Sequence, residues 1–479
     1  MTPHQLQAMT HLHQVAQWLP AAQIVGDGTV QFSRVHTDTR SVQPGDLFVA
    51  LKGDNFDGNF FLNEARAKGA VAAICSSPEA LTESGLSGLV VSDTRVALAS
   101  LATAWRAQFK LPLIAVTGSN GKTTVTQMIA SILLSHAPEE MLATEGNFNN
   151  DIGVPLTVLR LREHHRFAVV ELGMNHVGEI AVLAKMAQPT IALVNNAQRE
   201  HLEFMATVEA VAHENGAVIQ ALPAAGVAVF PEGDPFSPLW QRLAGSRASI
   251  KFSDAPEQKV DSQSVDVVCN AAEWRENAWH MQVKTPIGLV AFQLRISGRH
   301  NVQNALAALA CTLAAGIPPS AIVQGLEKFE AVQGRSRAVK GLVGTHSFTL
   351  IDDTYNANPD SVKAAIEVLA SLPAPRLLVL GDMGEVGNSG PEFHREAGAH
   401  SKAAGIEALF CLGTLSTYSS SAFGTGRHFD DVSDLNAALI KVVHNYQSVL
   451  VKGSRFMRME RVIQAIQAPS PKQQEPAWH

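Results

Sequence analysis

A glycine-rich stretch, VTGSNGKTT (116–124), carries residue types that bind phosphate. Gly118 and Gly121 let the backbone turn sharply and expose its N–H groups, and a helix starting near Lys122 would aim further N–H groups at an anion. The Lys122 amine could reach the β- and γ-phosphates of a nucleotide, and the Thr123 hydroxyl could bind Mg²⁺. The first glycine of the usual motif is missing, so the loop is short. The other interpretation is a glycine-rich turn before an ordinary helix. The residues predicted to bind nucleotide here are Thr117, Gly118, Ser119, Asn120, Gly121, Lys122, Thr123 and Thr124.

A carboxylate follows a second apolar run, in VVELGMNHVGEI (169–180). Glu171 could share a Mg²⁺ with Thr123, because Mg²⁺ in nucleotide sites takes one or two protein oxygens together with phosphates and waters. His176 lies a few residues further on and is either a metal ligand or a hydrogen-bonded structural histidine. Before this run, the loop TEGNFNNDIGVP (144–155) is either a simple turn or a source of amides for a polar substrate.

Two later segments place polar side chains near the starts of helices. In SGRHNVQNALAALA (297–310), three polar residues either cap the helix or contact a nucleotide base; they are His300, Asn301 and Asn304. In IDDTYNANPDSVKAAIEVL (351–369), Asn-Pro-Asp-Ser is typical of a helix start. That role does not explain three further residues, which the loop would present to a cleft: Asp352, Tyr355 and Asn356.

The elements that must position these residues are predicted by alternating apolar runs and helical patterns. The strand candidates of the middle of the chain are LIAV, FAVV, IALV and VAVF, at 113–116, 167–170, 191–194 and 227–230. Each is followed by a polar or glycine-containing loop, which is typical of a parallel sheet with crossover helices. Ligands of such sheets bind beyond the carboxyl ends of the strands, where the residues above lie.

The whole chain is predicted to be an α/β protein of three domains. Residues 1–110 form a small N-terminal α/β domain, and residues 111–333 form a central domain with a phosphate loop and a parallel sheet. Residues 334–479 form a Rossmann-like domain, with strands predicted in FTLIDD, RLLVLG, ALFCLG and SVLVKGS. The Pro- and Gln-rich tail from about residue 467 is expected to be disordered.

Composition narrows the class of protein. The 479 residues carry a net charge of −7, which argues against a nucleic-acid-binding protein. The four cysteines are scattered, as suits a reducing compartment. No signal peptide and no apolar run of membrane-spanning length is recognisable. We therefore expect a cytoplasmic protein without a membrane span.

Taken together, these segments resemble the Mur ligase family, the ATP-dependent amide-bond ligases of peptidoglycan synthesis. The resemblance extends from DTRSVQPGDLFVALKGDNFDG through VTGSNGKTT, ELGMNHVGEI, HLEFM and GRHNVQNALAA to VLVKGSRFMRME. Two stretches, GNFNNDIGVPLTVLRL and DDTYNANPDS, resemble the members that add D-alanyl-D-alanine. The resemblance implies a monomer that uses ATP and Mg²⁺ to join D-Ala-D-Ala to UDP-MurNAc-tripeptide through an acyl phosphate. It also implies that ligands mainly tether the last domain, so an open ligand-free protein is expected.

The resemblance also implies roles for individual residues. Lys122, Arg335 and His176 would be catalytic, and Thr123, Glu171 and His176 would serve Mg²⁺. The adenine would lie near His300, Asn301 and Asn304. Asp352 would bind the ribose, and the nucleotide cleft would be lined by Tyr355, Asn356 and Asn358. The tripeptide would face Asn149 and Asn150. The uridine-nucleotide end would be bound by Asp38, Thr39, Arg40, Lys52, Asp54 and Asp57.

One departure from the family concerns the second Mg²⁺. Family members commonly carry a lysine in Ala-Lys-Gly-Glu that is carbamylated and binds this ion, but Asn215 stands at that position in VAHENGAVI (211–219). Glu214 could substitute, although it lies one residue away, about 100° around a helix. We expect the second Mg²⁺ to be held differently or more weakly. A smaller departure is Asn59, where relatives often have histidine.

Two other functions remain open from the sequence. One is a sister Mur ligase or a folylpolyglutamate-type ligase that adds a single amino acid. The other is a non-ligase protein that uses ATP as a switch.

Overall fold

The computed structural model describes residues 8–19, 21–53, 56–254 and 265–467. Asp54 and nearly all of the tail predicted to be disordered lie outside these ranges. Three domains follow one another along the chain, each with its own sheet, as the sequence predicted.

The N-terminal domain consists of short strands and helices. They are β1 (Thr10–His11), α1 (Leu12–Trp18), β2 (Gln23–Val25), β3 (Gln31–Phe32), β4 (Arg34–His36), β5 (Asp46–Val49), β6 (Lys52–Gly53), β7 (Phe56–Asp57), α2 (Leu62–Ala67), β8 (Ala72–Cys75), α3 (Pro78–Ser84), β9 (Ser87–Val90) and α4 (Thr94–Arg106). The main sheet has the order β2-β9-β8-β5-β4, in which only β2 is antiparallel to its neighbour. Two short hairpin-like pairs, β1 with β3 and β6 with β7, lie outside it.

The central domain carries the predicted parallel sheet. Its elements are β10 (Leu113–Thr117), α5 (Lys122–His136), β11 (Met141–Ala143), α6 (Gly153–Val158), β12 (Phe167–Glu171), α7 (Glu179–Ala187), β13 (Ile191–Val194), α8 (Leu202–Met205), α9 (Val208–Gln220), β14 (Val227–Pro231), α10 (Ser237–Ala244), β15 (Ala248–Ser253), β16 (Val267–Arg275), β17 (Ala278–Thr285), β18 (Gly288–Leu294), α11 (His300–Ala314) and α12 (Pro319–Lys328). The sheet order is β11-β12-β10-β13-β14-β15-β16-β17-β18. All four predicted strands are present, whereas the antiparallel pairs β16–β17 and β17–β18 extend the sheet beyond the prediction.

Both faces of this sheet are covered. Alternate residues of a strand point to opposite faces, and accordingly Leu113 and Ala115 join one apolar core while Ile114 and Val116 join another. Helix α5 contributes its predicted apolar side to the second core, including Ile129. Full burial of such side chains stabilises the fold by about 1.5–3 kcal/mol each. The phosphate loop is therefore held between a buried strand and a buried helix.

The C-terminal domain is Rossmann-like. Its elements are β19 (Arg337–Val343), β20 (His346–Asp353), α13 (Pro359–Ala370), β21 (Arg376–Gly381), α14 (Gly390–Ala403), β22 (Ala408–Leu412), α15 (Ser416–Phe423), β23 (Arg427–Phe429), α16 (Val432–Val442), β24 (Ser448–Lys452) and α17 (Glu460–Ile466). The sheet order is β19-β20-β24-β21-β22-β23, and only β19 is antiparallel to its neighbour. In the described ranges, no helix combines the length and apolar character needed to cross a bilayer.

Candidate active site

A cleft of about 1410 Å³ lies between the central and C-terminal domains. The loops after β10, β12 and β13 form one wall, and the loops after β20, β21 and β24 form the other. The carboxyl ends of both parallel sheets thus face one cavity, which is the usual ligand position in α/β folds. The predicted site residues that line it are Ser119, Asn120, Gly121, Lys122, Thr124, Asn149, Asn150, Glu171, His300, Asn301, Asn304, Arg335, Tyr355, Asn356 and Asn358.

The phosphate loop, residues 117–124, wraps around the start of α5. Gly121 has a φ of 84°, which only glycine adopts without strain. A Cβ atom there would lie 2.4 Å from Asn304 Oδ1, so a side chain is also excluded by space. Asn120 N donates to Asn196 Oδ1 at 2.9 Å, which fixes the loop to the segment after β13. Thr117, the first residue of the loop, is buried and does not line the cleft.

Two buried oxygen atoms near the loop fit a Mg²⁺ ion. Thr123 Oγ1 and Glu171 Oε2 are buried and have no hydrogen-bond partner within the described residues, although buried polar atoms are nearly always paired. The other Glu171 oxygen accepts a hydrogen bond from Asn149 Nδ2 at 2.8 Å. No group of three or more His, Cys, Asp or Glu side chains in the described ranges is arranged to hold a metal. These residues therefore suit an ion whose remaining ligands are phosphates and waters.

A chain of amides connects the phosphate loop to the start of α11. Asn195 Nδ2 donates to Asn304 Oδ1 at 2.9 Å, and Asn304 Nδ2 donates to Asn301 Oδ1 at 2.9 Å. Asn301 Nδ2 donates to Ser297 O at 2.7 Å. Burial lowers the pKa of the neighbouring His300, so its imidazole is neutral near pH 7. The predicted adenine-binding residues are thus linked to one another by hydrogen bonds.

On the C-terminal wall, the adjacent residues Asp352 and Asp353 differ in whether they reach the cleft. Asp352 is buried, and its Oδ2 accepts from Gly334 N at 3.0 Å, so it ties the interdomain linker to β20. The cleft is lined instead by Asp353, whose Oδ2 lies 2.6 Å from Lys452 Nζ. The predicted ribose ligand Asp352 is therefore not brought to the cleft surface, whereas the residue after it is.

Arg335 and Asn358 lie on this wall of the cleft. The Arg335 guanidinium lies 3.9 Å from the centre of the Tyr355 ring, in a cation–π contact that holds it at the cleft. Asn358 caps α13 by accepting from Ser361 N at 2.8 Å. Its Nδ2 also donates to Asn120 Oδ1 at 2.9 Å, which makes a direct contact between the C-terminal wall and the phosphate loop.

Comparison with known proteins gives the same family for all three domains. Residues 31–106 match the model for the Mur ligase family, catalytic domain; residues 116–312 match the Mur ligase middle domain; and residues 334–455 match the Mur ligase, glutamate ligase domain. The chain is 40% identical to the UDP-N-acetylmuramoyl-tripeptide–D-alanyl-D-alanine ligase of Escherichia coli, over 91% of this chain and 94% of that relative. It belongs to the Mur ligase family.

Solved structures support the same family. MurF from Acinetobacter baumannii superimposes with a TM-score of 0.86 at 33% identity, covering 95% of this chain and 98% of that chain. MurF from Thermotoga maritima, solved in complex with ADP, gives a TM-score of 0.77 at 26% identity, covering 90% and 96% of the two chains. The three-domain fold of this Mur ligase is therefore the fold of MurF structures.

The departure at Asn215 has a structural explanation in this Mur ligase. Asn215 is buried in α9, its Oδ1 accepts from Gly118 N at 2.9 Å, and its backbone oxygen accepts from Thr117 Oγ1 at 3.3 Å. It therefore supports the phosphate loop from below. Glu214 accepts from Gly178 N and Ile180 N, both at 2.8 Å, at the start of α7. Because Glu214 is held there and does not line the cleft, the alternative that it replaces the carbamylated lysine is not supported.

The predicted metal ligand His176 does not line the cleft. It is mostly exposed, its Nδ1 lies 3.1 Å from Glu179 Oε1, and its ring packs on Phe204. Besides His300, the cleft is lined by His201, from the quoted segment HLEFM. His201 was not among the predicted site residues, although its position soon after β13 indicates a place at the carboxyl edge of the sheet. Lys452, Glu200 and Glu385 are further cleft residues that sequence analysis did not assign.

The described residues predicted for the uridine-nucleotide end lie in short turns and strands of the N-terminal domain and do not line the cleft. Asp38 caps a short helical turn, and its hydrogen bonds with Arg40 lower its pKa to about 2. Lys52 Nζ lies 3.6 Å from Asp57 Oδ2. Thr39 is nearly buried beside these loops, and Asp54 lies outside the described residues. Asn59, the smaller departure, is buried and joins Asp57 to Ser76.

Proposed function

We propose that this Mur ligase joins D-alanyl-D-alanine to UDP-N-acetylmuramoyl-tripeptide and so makes the UDP-MurNAc-pentapeptide. One observation carries the proposal: the match to a UDP-N-acetylmuramoyl-tripeptide–D-alanyl-D-alanine ligase extends over 91% of this chain and 94% of that relative. The arrangement of the cleft supports it, because a phosphate loop, an unpaired buried carboxylate oxygen and a second domain face one cavity. ATP would be the energy source.

The tripeptide carboxylate must be activated before an amine can displace one of its oxygens, because the leaving group would otherwise be oxide. An oxygen of the tripeptide carboxylate attacks the γ-phosphorus of ATP, the bond to the β–γ bridging oxygen breaks, and ADP leaves. The nitrogen of D-Ala-D-Ala then attacks the acyl carbon, and phosphate leaves from the tetrahedral intermediate. The protein mainly holds the reactants and stabilises charge. Lys122 and Arg335 would face the transferred phosphoryl group from opposite walls.

Mg²⁺ would be held by Thr123 and Glu171, whose free buried oxygens suit it, and would neutralise phosphate charge. Adenine would lie against Asn301 and Asn304. Asp353, rather than Asp352, would face the ribose. The proposed domains are 1–110 for the UDP-sugar end, 111–333 for ATP, and 334–479 for the incoming dipeptide. We propose a cytoplasmic monomer.

The test is phosphate release from Mg-ATP with each substrate alone and with both together, in the L-lysine and meso-diaminopimelate forms of the tripeptide. We expect release only with both substrates, and a pentapeptide product by mass spectrometry. Release with the tripeptide and a single amino acid would instead identify a sister ligase activity. ATP turnover indifferent to both substrates would favour an ATP switch.

A further inference from the structure

The phosphate-loop lysine is fully occupied before any nucleotide binds. Lys122 Nζ donates to Gly118 O at 2.6 Å, to Ser119 O at 3.2 Å and to Glu200 Oε1 at 2.9 Å. A lysine ammonium has three N–H donors, so each of them has a partner. A phosphate that binds Lys122 must therefore take at least one donor away from a group that already holds it.

Glu200 is the charged member of that set, and it is buried. Its side chain is 10% exposed, and its second oxygen, Oε2, has no hydrogen-bond partner among the described residues. Besides Lys122, the nearest cation is His201, whose Nε2 lies 3.5 Å from Glu200 Oε1. A buried carboxylate that loses its partner is strongly destabilised. Moving Lys122 from Glu200 to a phosphate thus has a cost.

The position of Glu200 does not depend on Lys122 alone. The segment before it is bound to the phosphate loop at two points, because Gln198 N donates to Ser119 Oγ at 2.9 Å and Asn120 Nδ2 donates to Gln198 Oε1 at 2.6 Å. Glu200 N also donates to Gln198 O at 2.9 Å. The carboxylate is therefore expected to remain beside the phosphate site after Lys122 has moved, where it also repels the negative phosphates.

We propose that Glu200 is a positioning residue that competes with the nucleotide phosphates for Lys122, limiting nucleotide affinity and promoting ADP release. The inference rests on the proposed function for its place in the reaction cycle, but not for its binding test. Before ATP binds, Glu200 holds the lysine folded against the loop. After phosphoryl transfer, the ion pair between Glu200 and Lys122 forms again, and ADP loses a cationic contact.

The test is the change E200Q, which keeps the shape of the side chain and removes its charge. Calorimetric titration of the full chain with ADP is expected to show about tenfold tighter binding than the wild type, since the competing charge is lost. AMP has no β-phosphate for Lys122 to contact, so its affinity should change less than twofold. A purely structural effect of the substitution would alter both nucleotides alike.

E203Q is the matched control, and E200D is a second variant at the same position as E200Q. E203Q removes the same charge from an exposed residue outside the cleft lining, and should leave ADP affinity within twofold. E200D keeps the charge with a shorter reach and should give an ADP affinity between those of the wild type and E200Q; it also serves if E200Q does not fold. In turnover, E200Q should lower both KM for ATP and kcat, because ADP leaves more slowly.

Unchanged or weaker ADP binding by E200Q would overturn the proposal, and so would equal tightening for AMP. If E200Q does not fold, an E200D affinity equal to the wild type or weaker would overturn it. These binding results are separate from the ligase assay. A wild-type chain that binds ADP but makes no pentapeptide would refute the proposed function and leave the competition at Lys122 to be judged on the titrations.

Discussion

Arg199 of the central domain contacts Asp360 of the C-terminal domain through three hydrogen bonds. Arg199 N donates to Asp360 Oδ2 at 2.8 Å, and the guanidinium donates to Oδ1 through Nε at 3.1 Å and Nη2 at 2.7 Å. The same guanidinium contacts Glu396 Oε2 at 2.7 Å and lies over the Phe393 ring. The resemblance to the Mur ligase family led us to expect that ligands mainly tether the last domain. In the structure, direct side-chain contacts also join these domains.

The first prediction is that Arg199 keeps the ligand-free protein closed. R199A removes the central-domain cation that pairs with two carboxylates of the C-terminal domain, Asp360 and Glu396. Small-angle scattering without nucleotide should therefore show a larger radius of gyration than the wild type. R395A is the matched control, because Arg395 is an exposed arginine of α14 that pairs with Glu392 of its own helix. An R199A profile identical to that of the wild type would mean that other contacts suffice.

The second prediction concerns Glu171. E171Q keeps the bond from Asn149 possible but replaces the unpaired carboxylate oxygen, so Mn²⁺ binding to the ADP complex, followed by electron paramagnetic resonance, should weaken at least tenfold. Ligase activity should fall about 100-fold or more, because charge stabilisation is the main catalytic contribution. Affinity for ADP without metal should stay within about threefold. Equal Mn²⁺ affinity in both proteins would exclude Glu171 as a ligand.

The third prediction follows from Asn215. An amide cannot form a carbamate, and Glu214 is bound to the start of α7, so activity should not depend on bicarbonate. We expect equal rates, within twofold, in carbon dioxide-depleted and bicarbonate-supplemented buffers at fixed pH. A stimulation of several-fold by bicarbonate would show that a lysine elsewhere in the chain is carbamylated.

The fourth prediction is a pH dependence from His201. Burial lowers the pKa of this imidazole, but its contacts with Glu200 and Glu385 outweigh burial and raise the pKa to about 9. A raised pKa stabilises the folded state below the unfolded value of about 6.5, and this stabilisation is lost as pH rises towards 9. The Tm of H201Q should therefore be lower than that of the wild type by about 2–4 °C at pH 6.

The difference in Tm between H201Q and wild type should shrink as the pH approaches 9. It is measured by thermal melts without divalent metal. E385Q removes one of the two groups that raise the pKa, since Glu385 Oε2 lies 2.6 Å from His201 Nδ1. In E385Q the pH-dependent part of the stability should therefore end at a lower pH. A difference between H201Q and wild type that is constant from pH 6 to 9 would contradict the assignment.

The fold was largely predictable from sequence, because buried parallel strands and the helices covering them have strong local patterns. The phosphate loop was predictable for the same reason: glycine spacing, Lys122 and Thr123 lie within one short segment. The antiparallel strands β16 to β18 were missed, since alternating exposed and buried residues give a weaker signal than continuous apolar runs.

The site residues were harder to predict where the side chains of neighbouring residues point in different directions. Asp352 and Asp353 are adjacent in sequence, but successive side chains of a strand point to opposite faces, and only Asp353 faces the cleft. His176 and His201 both follow strands of the central sheet, and only the path of each loop decides which one enters the cavity. The competition of Glu200 for Lys122 depends on distances between segments separated by 78 residues, which no local pattern contains.

Gly121 of the phosphate loop packs closely against the side chain of Asn304 in α11. A methyl group at position 121 would overlap the amide that holds Asn195 and Asn301 in place. The residues proposed for the phosphate end and for the purine end of the nucleotide therefore pack directly against each other. A mutation that reshapes the phosphate end would also disturb the purine end. An inhibitor that fills both ends would leave the enzyme few single-step routes to resistance.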